Sequence, residues 1–280
     1  MKKTVLTEKT IENFRRFLYE SEKSENTIEK YIRDVRAFLV FSSDGVTKDT
    51  VISYKQFLIE SGYAVRSINS MLASLNSLFS FLGRYDLRVK ALKLQREIYR
   101  PEEKELTKQE YLRLLNAAKQ QRNERLFFIL EAICATGIRV SELKFITVEA
   151  VRKGEAAVSL KGKTRTVFIV RDLQKKLLQY ILKNNISSGP VFVTRAGRPL
   201  NRTTIWREMK NLCMEAEVNP QKVFPHNLRR LFARVFYGLE KDIAKLADLL
   251  GHSSMNTTRI YIMATGAEHR TRMERMRLML

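Results

Sequence analysis

Over most of the chain the large apolar residues recur every three or four positions, and between Ala156 and Val170 they switch to alternation. A period near 3.6 buries one stripe of a helix, whereas a period of two buries one face of a strand. The run Ala-Ala-Val-Ser-Leu, the turn Lys-Gly-Lys-Thr and the run Arg-Thr-Val-Phe-Ile-Val therefore predict a β-hairpin with a basic turn. A further short strand is expected at Val191 to Thr194, ahead of a turn at Gly197 to Pro199. The expected fold is mainly α with a small antiparallel β-sheet.

Four amphipathic helices account for the first hundred residues. Thr7 caps the first, with Ile11, Phe14, Phe17 and Leu18 on one face. Asn26 followed by Glu29 reads as the capping pair of the second, which carries Ile28, Tyr31, Ile32, Val35, Phe38 and Leu39. The third runs from about Thr47 to Ser61 before Gly62, and the fourth carries Ile68, Met71, Leu72, Leu75, Leu78, Phe79 and Leu82 before Gly83. From Arg84 to Glu105 the chain is rich in charge and reads as an interdomain linker. Thr107 with Glu110 opens a second helical block through a capping box, and helices return from about Thr203. The expected organisation is a four-helix domain over 1–84, a basic linker over 85–106 and a larger domain over 107–280, with a tail helix from about 266.

The 280 residues hold 51 Lys and Arg against 30 Asp and Glu, a formal net charge of +21. On a globular composition that surplus fits a polyanionic partner, most often nucleic acid. Residues 1–100 carry 18 basic and 12 acidic side chains and the remainder 33 and 18, so both halves are basic. Two such lobes suit a grip on one nucleic acid from opposite sides; a basic surface kept for solubility is the bland alternative. Cys134 and Cys213 are too few for a disulfide framework and lack the spacing of a zinc site. No apolar run approaches the roughly 18 residues of a membrane span, and the polar N-terminus does not read as a signal peptide. A cytoplasmic protein without a membrane partner is expected.

Five stretches carry side chains suited to chemistry. In Ala-Thr-Gly-Ile-Arg-Val-Ser-Glu-Leu, residues 135–143, a helix ends at Gly137 and Arg139 and Glu142 fall near the start of the next. Arg139 there either presents its planar fork to a phosphate, with Glu142 holding the guanidinium, or forms a purely structural pair with it. The hairpin turn sets Lys161, Lys163 and Arg165 where either a DNA groove or bulk solvent receives them. Pro225 marks a helix start, so His226 and Arg229, three apart, share one face. That pairing suits an anionic reacting group, although His-x-x-Arg is also a common surface pattern. His252, in Leu-Gly-His-Ser, precedes Tyr261 by nine positions; a tyrosine on its own usually packs with its hydroxyl satisfied.

In order, Arg139, Lys161, His226, Arg229, His252 and Tyr261 resemble the signature of the tyrosine recombinase (phage integrase) family: an arginine, a lysine, His-x-x-Arg, a histidine or tryptophan, and a tyrosine. The resemblance covers nearly the whole chain, because the four N-terminal helices are similar to the family's core-DNA-binding domain. The compact length looks like the simple Xer-type members. What this implies is a two-domain clamp, a helical core-DNA-binding domain joined to a mixed α/β catalytic domain. The hairpin turn is tighter than the family's usual one, which leaves Lys161 and Lys163 both open as the catalytic lysine, with Lys161 the first choice.

The resemblance also implies a reaction. Tyr261 is the expected nucleophile on a DNA phosphodiester, leaving a 3′-phosphotyrosyl bond and a free 5′-hydroxyl. A phenol near pKa 10 must shed its proton as it attacks, and His226 is the expected acceptor. Arg139 and Arg229 would grip the non-bridging oxygens and Lys161 would protonate the departing oxygen. His252 would donate a hydrogen bond to the phosphate and seat Tyr261. Glu142 would steady Arg139, while Lys163, Arg165, Arg96 and Arg100 are expected DNA contacts. Fixed cations take the place of magnesium, so no metal and no cofactor are expected. The expected partners are a double-stranded recombination site and further copies of the chain in a homotetramer on two duplexes, with tail exchange and an accessory protein as additional expectations. Integration and excision of a mobile element and resolution of chromosome dimers both remain open. A helix-turn-helix regulator would explain the charge but not the six residues in order. A type IB topoisomerase shares the tyrosine chemistry, yet the N-terminal helices and Leu-Gly-His-Ser fit a recombinase better.

Overall fold

Four helices, α1 (Glu8–Glu20), α2 (Glu25–Phe41), α3 (Lys48–Glu60) and α4 (Val65–Phe81), build the first of two units into which the chain divides, residues 1–96 and 97–280. The computed structural model describes residues 6–42, 45–94, 101–160, 163–194 and 196–277. Each helix turns one apolar stripe inward, and Phe14, Leu18, Ile32, Phe38, Leu58, Leu72 and Phe79 meet in a common core. Thr7 caps α1 in a reciprocal box with Thr10. The start of α2 departs from the expectation of Asn26 as its cap. Ser24 holds the extended cap conformation, Asn26 lies within the first turn, and the Glu29 carboxylate is taken by Arg15 of α1. Past α4, Leu87 and Val89 are buried in the same core, and the Asn76 side chain both donates to the Val89 carbonyl and accepts from its N–H.

The second unit is organised on α6 (Glu124–Thr136), whose residues 126–130 are buried on every side. Against it packs α5 (Lys108–Gln120), opened by the Thr107–Glu110 capping box, while α7 (Val148–Lys153) comes next in the chain. β1 (Glu155–Leu160) and β2 (Lys163–Phe168) follow, then α8 (Arg171–Lys183), α9 (Arg202–Asn211) and α10 (Pro225–Glu240). The two strands pair antiparallel, with Leu160 opposite Lys163, and Ala156, Val158 and Val167 enter the core. The strand expected at Val191 to Thr194 does not form. Val191 and Phe192 are buried, but the segment makes only isolated bridges, Thr147 with Pro190 and Val193 with Pro199. Its apolar run anchors a loop, because among the described residues no neighbouring strand offers it a ladder.

Three shorter helices close the chain: α11 (Ile243–Leu250), α12 (Met255–Tyr261) and α13 (Gly266–Arg275). Thr265 and Glu268 cap α13 reciprocally, and Glu268 also accepts a bond from Arg234 of α10, so the tail helix is held on its own chain. Met273 is exposed on it, and Met276 is exposed at its C-terminal cap. Among the described residues, no helix is long and apolar enough to cross a membrane.

Candidate active site

The corner begins where α6 stops. Gly137 adopts a left-handed conformation, φ +63°, and a Cβ there would sit 2.5 Å from the Phe232 ring of α10. Glycine at this position lets α6 and α10 approach closely and frees the Gly137 carbonyl at the junction. Arg139 follows in extended conformation as the cap of a 3-10 helix, Val140–Phe145. Glu142, in its first turn, is buried and accepts twice from Arg139: from the backbone N–H at 2.9 Å and from Nη1 at 2.9 Å. The structural pairing and the presentation of the guanidinium are thus one arrangement, since Arg139 also lines an open cavity.

Arg165 reaches the same carboxylate from β2. Its Nη2 lies 2.6 Å from Glu142 Oε2, and its side chain is only 13% exposed. The expectation placed Arg165 outward on DNA; the structure turns it inward, where Glu142 compensates the burial of a guanidinium that desolvation and Arg139 push toward a lower pKa. Its stem crosses Gly251, φ +62°, where a Cβ would lie well inside van der Waals contact of Arg165 Cδ. Lys163 opens β2, whereas Lys161, Arg96 and Arg100 lie outside the described residues.

Pro225 starts α10, and Asn227 fixes that start by donating to the carbonyls of Lys104 and Lys222. His226 is exposed and Arg229, one turn later, is 1% exposed. The Arg229 guanidinium donates to the carbonyls of Gly137 and Leu250 and, at 3.1 Å, to His252 Nε2. Its Nε is buried without a hydrogen-bond partner among the described residues. Burial, with Arg139 nearby, lowers the Arg229 pKa to about 10, which leaves it charged at neutral pH.

A guanidinium has only donors, so His252 Nε2 must accept, and the ring proton sits on Nδ1, 2.9 Å from Thr258 Oγ1. Burial and the surrounding Arg229, Arg139, His226 and Arg165 push the His252 pKa down to about 4, so the ring is neutral. Both nitrogens are engaged within the protein, which differs from the expected donation to a phosphate. Thr258 lies three residues before Tyr261 on α12, fully buried. Tyr261 follows at the end of the helix, its ring centroid 4.9 Å from both His226 and His252. Its hydroxyl is 3.4 Å from His226 Nδ1, and the guanidinium carbons of Arg229 and Arg230 lie 5.9 and 5.7 Å from its ring centroid. Although only 6% exposed, the phenol faces imidazoles and guanidiniums at this edge and apolar Leu246 and Leu250 at its back.

Five of the six expected residues therefore meet, or lie one contact apart, at one corner. The sequence reading passed over Thr258, Arg202 and Trp206; the last two line the cavity with Arg139, His226 and Arg229. Helical spacing from Tyr261 was a signal for Thr258, and Trp206 is the only tryptophan in the chain. A pocket rich in fixed positive charge beside a phenol and an imidazole suits nucleophilic attack on a phosphate ester, with the guanidiniums taking the charge that builds on its oxygens. Among the described residues no three His, Cys, Asp or Glu side chains gather as metal ligands would.

The chain is similar to known proteins along most of its length. Residues 104–268 match the phage integrase family, and residues 11–85 match the phage integrase N-terminal SAM-like domain. The chain is 30% identical to the tyrosine recombinase XerA of Pyrococcus furiosus, over all of this chain and 98% of that protein. It is 30% identical to the tyrosine recombinase XerD of Haemophilus influenzae, over 85% of this chain and 87% of that one. Among solved structures, a lambda integrase dimer bound to a core site superposes with a TM-score of 0.74 at 17% identity, covering 94% of this chain and 97% of that one. XerH bound to its difH substrate gives 0.68 at 16%, covering 97% and 99%. With its family shown along most of its length, and with an arginine, the His-x-x-Arg pair, a histidine and a tyrosine gathered at one corner, the chain belongs to the phage integrase family and is a tyrosine-type site-specific DNA recombinase.

Proposed function

We propose that this recombinase cuts and reseals duplex DNA through Tyr261. The phenolic oxygen attacks phosphorus, the bond from phosphorus to the 5′ oxygen breaks, and a 3′-phosphotyrosyl link remains. His226 takes the phenolic proton, and Lys161 returns a proton to the departing 5′ oxygen. Arg139 and Arg229 hold the non-bridging oxygens. His252 keeps Arg229 and Tyr261 in register through Thr258. Attack by a 5′-hydroxyl of another strand reverses the step, so the number of phosphodiester bonds is conserved and no nucleotide hydrolysis is needed.

The observation that carries this reading is the Tyr261 hydroxyl 3.4 Å from His226 Nδ1, beside two arginines anchored on separate elements. That separation is at the loose end of hydrogen-bond range, as nucleophile–base pairs often are before substrate tightens them. A tetramer on two duplexes is the assembly we propose, supported by the lambda integrase tetramer on a Holliday junction, whose chain this one resembles with a TM-score of 0.74. Met273, exposed on α13, and Met276, exposed at its C-terminal cap, support a contact of that helix with a neighbouring protomer. The biological outlet is integration and excision or resolution of chromosome dimers.

The test is covalent trapping on a library of nicked suicide duplexes, followed by sequencing of the attached DNA. Wild-type protein forms an adduct that persists in EDTA; Tyr261→Phe binds the same duplex and forms none. An undiminished adduct in Tyr261→Phe, or its complete loss on chelation, overturns the reading.

A further inference from the structure

The cavity beside Arg139, His226 and Arg229 has a wall that the phosphate chemistry leaves unused. Arg202 and Trp206, one turn apart at the start of α9, complete it together with Phe224. The lining thus combines three guanidiniums and an imidazole with two aromatic rings, around about 420 Å³ of space. That volume lies in the range small-ligand sites occupy.

Trp206 is 46% exposed, although an indole is among the costliest side chains to leave in water. Lys210, one turn further along α9, places Nζ 5.2 Å from the ring centroid and steadies its orientation. An anion seated on Arg139 and Arg229 does not arrive alone, because each DNA phosphate carries a nucleoside on either side. Aromatic side chains accept the bases of single strands irrespective of sequence, through the face of the ring; in a duplex those faces are stacked, and the part of the nucleoside open to an indole is its deoxyribose.

We infer that Trp206 and Arg202 form a nucleoside subsite of the recombinase. The indole packs against the nucleoside on one side of the reacting phosphate, and Arg202 contacts the next phosphate along the same strand. This rests on the reading of Arg139 and Arg229 as the phosphate seat. Its consequence is positional: the phosphate is fixed against sliding along the strand while Tyr261 approaches.

The experiment uses the duplex recovered by trapping and full-length protein carrying Tyr261→Phe, so that binding is read without cleavage. Trp206 is the sole indole, and its emission reports the contact directly. Emission shifts on binding, Trp206→Ala raises the half-saturating DNA concentration about tenfold, and Trp206→Phe stays within about threefold. Replacing the nucleoside on one side of the scissile phosphate by a propanediol spacer costs the parent protein about the same factor and costs the Trp206→Ala protein nothing more. Unchanged emission, or equal spacer penalties with and without the indole, overturns the subsite. An absence of any Tyr261-dependent adduct would instead sink the phosphate seat on which it depends, so the two failures are told apart.

Discussion

At the scale of single residues, the site is a problem of keeping positive charges close together. Glu142 is shared by Arg139 and Arg165, which come from segments more than twenty residues apart, and each oxygen of the carboxylate faces one guanidinium. Replacing Arg139 by lysine removes the planar fork while keeping a charge. We expect Arg139→Lys to lower the rate of adduct formation by about 100-fold or more, as loss of an oxyanion-type donor does, with near-normal melting; a wild-type rate would make the arginine structural. His252 gives a pH signature. Its pKa in the fold is about 4 against an ordinary 6.5, so between those values the unfolded chain binds more protons. Its contribution to stability is therefore complete above about 6.5 and is lost as pH falls toward 4. His252→Gln should melt with a smaller acid-induced drop over that window, and identical drops would contradict the assignment. Arg139, His226, Arg229 and Tyr261 were legible because their types and intervals are unusual together. Arg165 and Thr258 were not, since only the fold shows that one turns inward and that the other holds an imidazole.

At the scale of elements, the helices were readable wherever an apolar stripe met a clear stop. Gly62, Gly83 and Gly137 each follow a helix, as the sequence suggests, and Thr7 and Thr107 cap theirs. Asn26 misled because any short polar residue ahead of a helix resembles a cap, and only the backbone conformation selects Ser24. Val191 to Thr194 misled because a buried apolar run looks the same whether or not a strand lies next to it. The junction of β2 with the loop after α11 rests on Gly251, whose missing Cβ makes room for the Arg165 stem. Gly251→Ala adds left-handed strain of about 1–2 kcal/mol together with that clash. We expect Tm to fall by at least about 3 °C, measured calorimetrically, and the fall to be sub-additive with that of Arg165→Ala, which removes the obstructing stem. Strict additivity would mean the two residues act independently.

At the scale of the whole molecule, a helical chain with one hairpin and an excess of 21 positive charges was legible from period and composition. The two separate cores were signalled by the charged stretch after α4, though Leu87 and Val89 show that part of it packs onto the first. Charge on this scale makes affinity for DNA steeply dependent on salt, because neutralised phosphates release counterions. Raising salt from 50 mM to 200 mM should weaken binding of Tyr261→Phe protein by at least about 100-fold in anisotropy titrations, and a nearly flat response would place the basic surface elsewhere. One feature of the corner acts beyond its own neighbourhood. Thr258 ties His252 to the helix that ends in Tyr261, and His252 in turn grasps Arg229. If α12 swings out, Tyr261 leaves and the His252 imidazole loses Thr258 in the same movement, so the corner comes apart as a unit. On the proposed chemistry, a half-assembled site that cuts a strand yet fails to reseal it is thereby hard to reach.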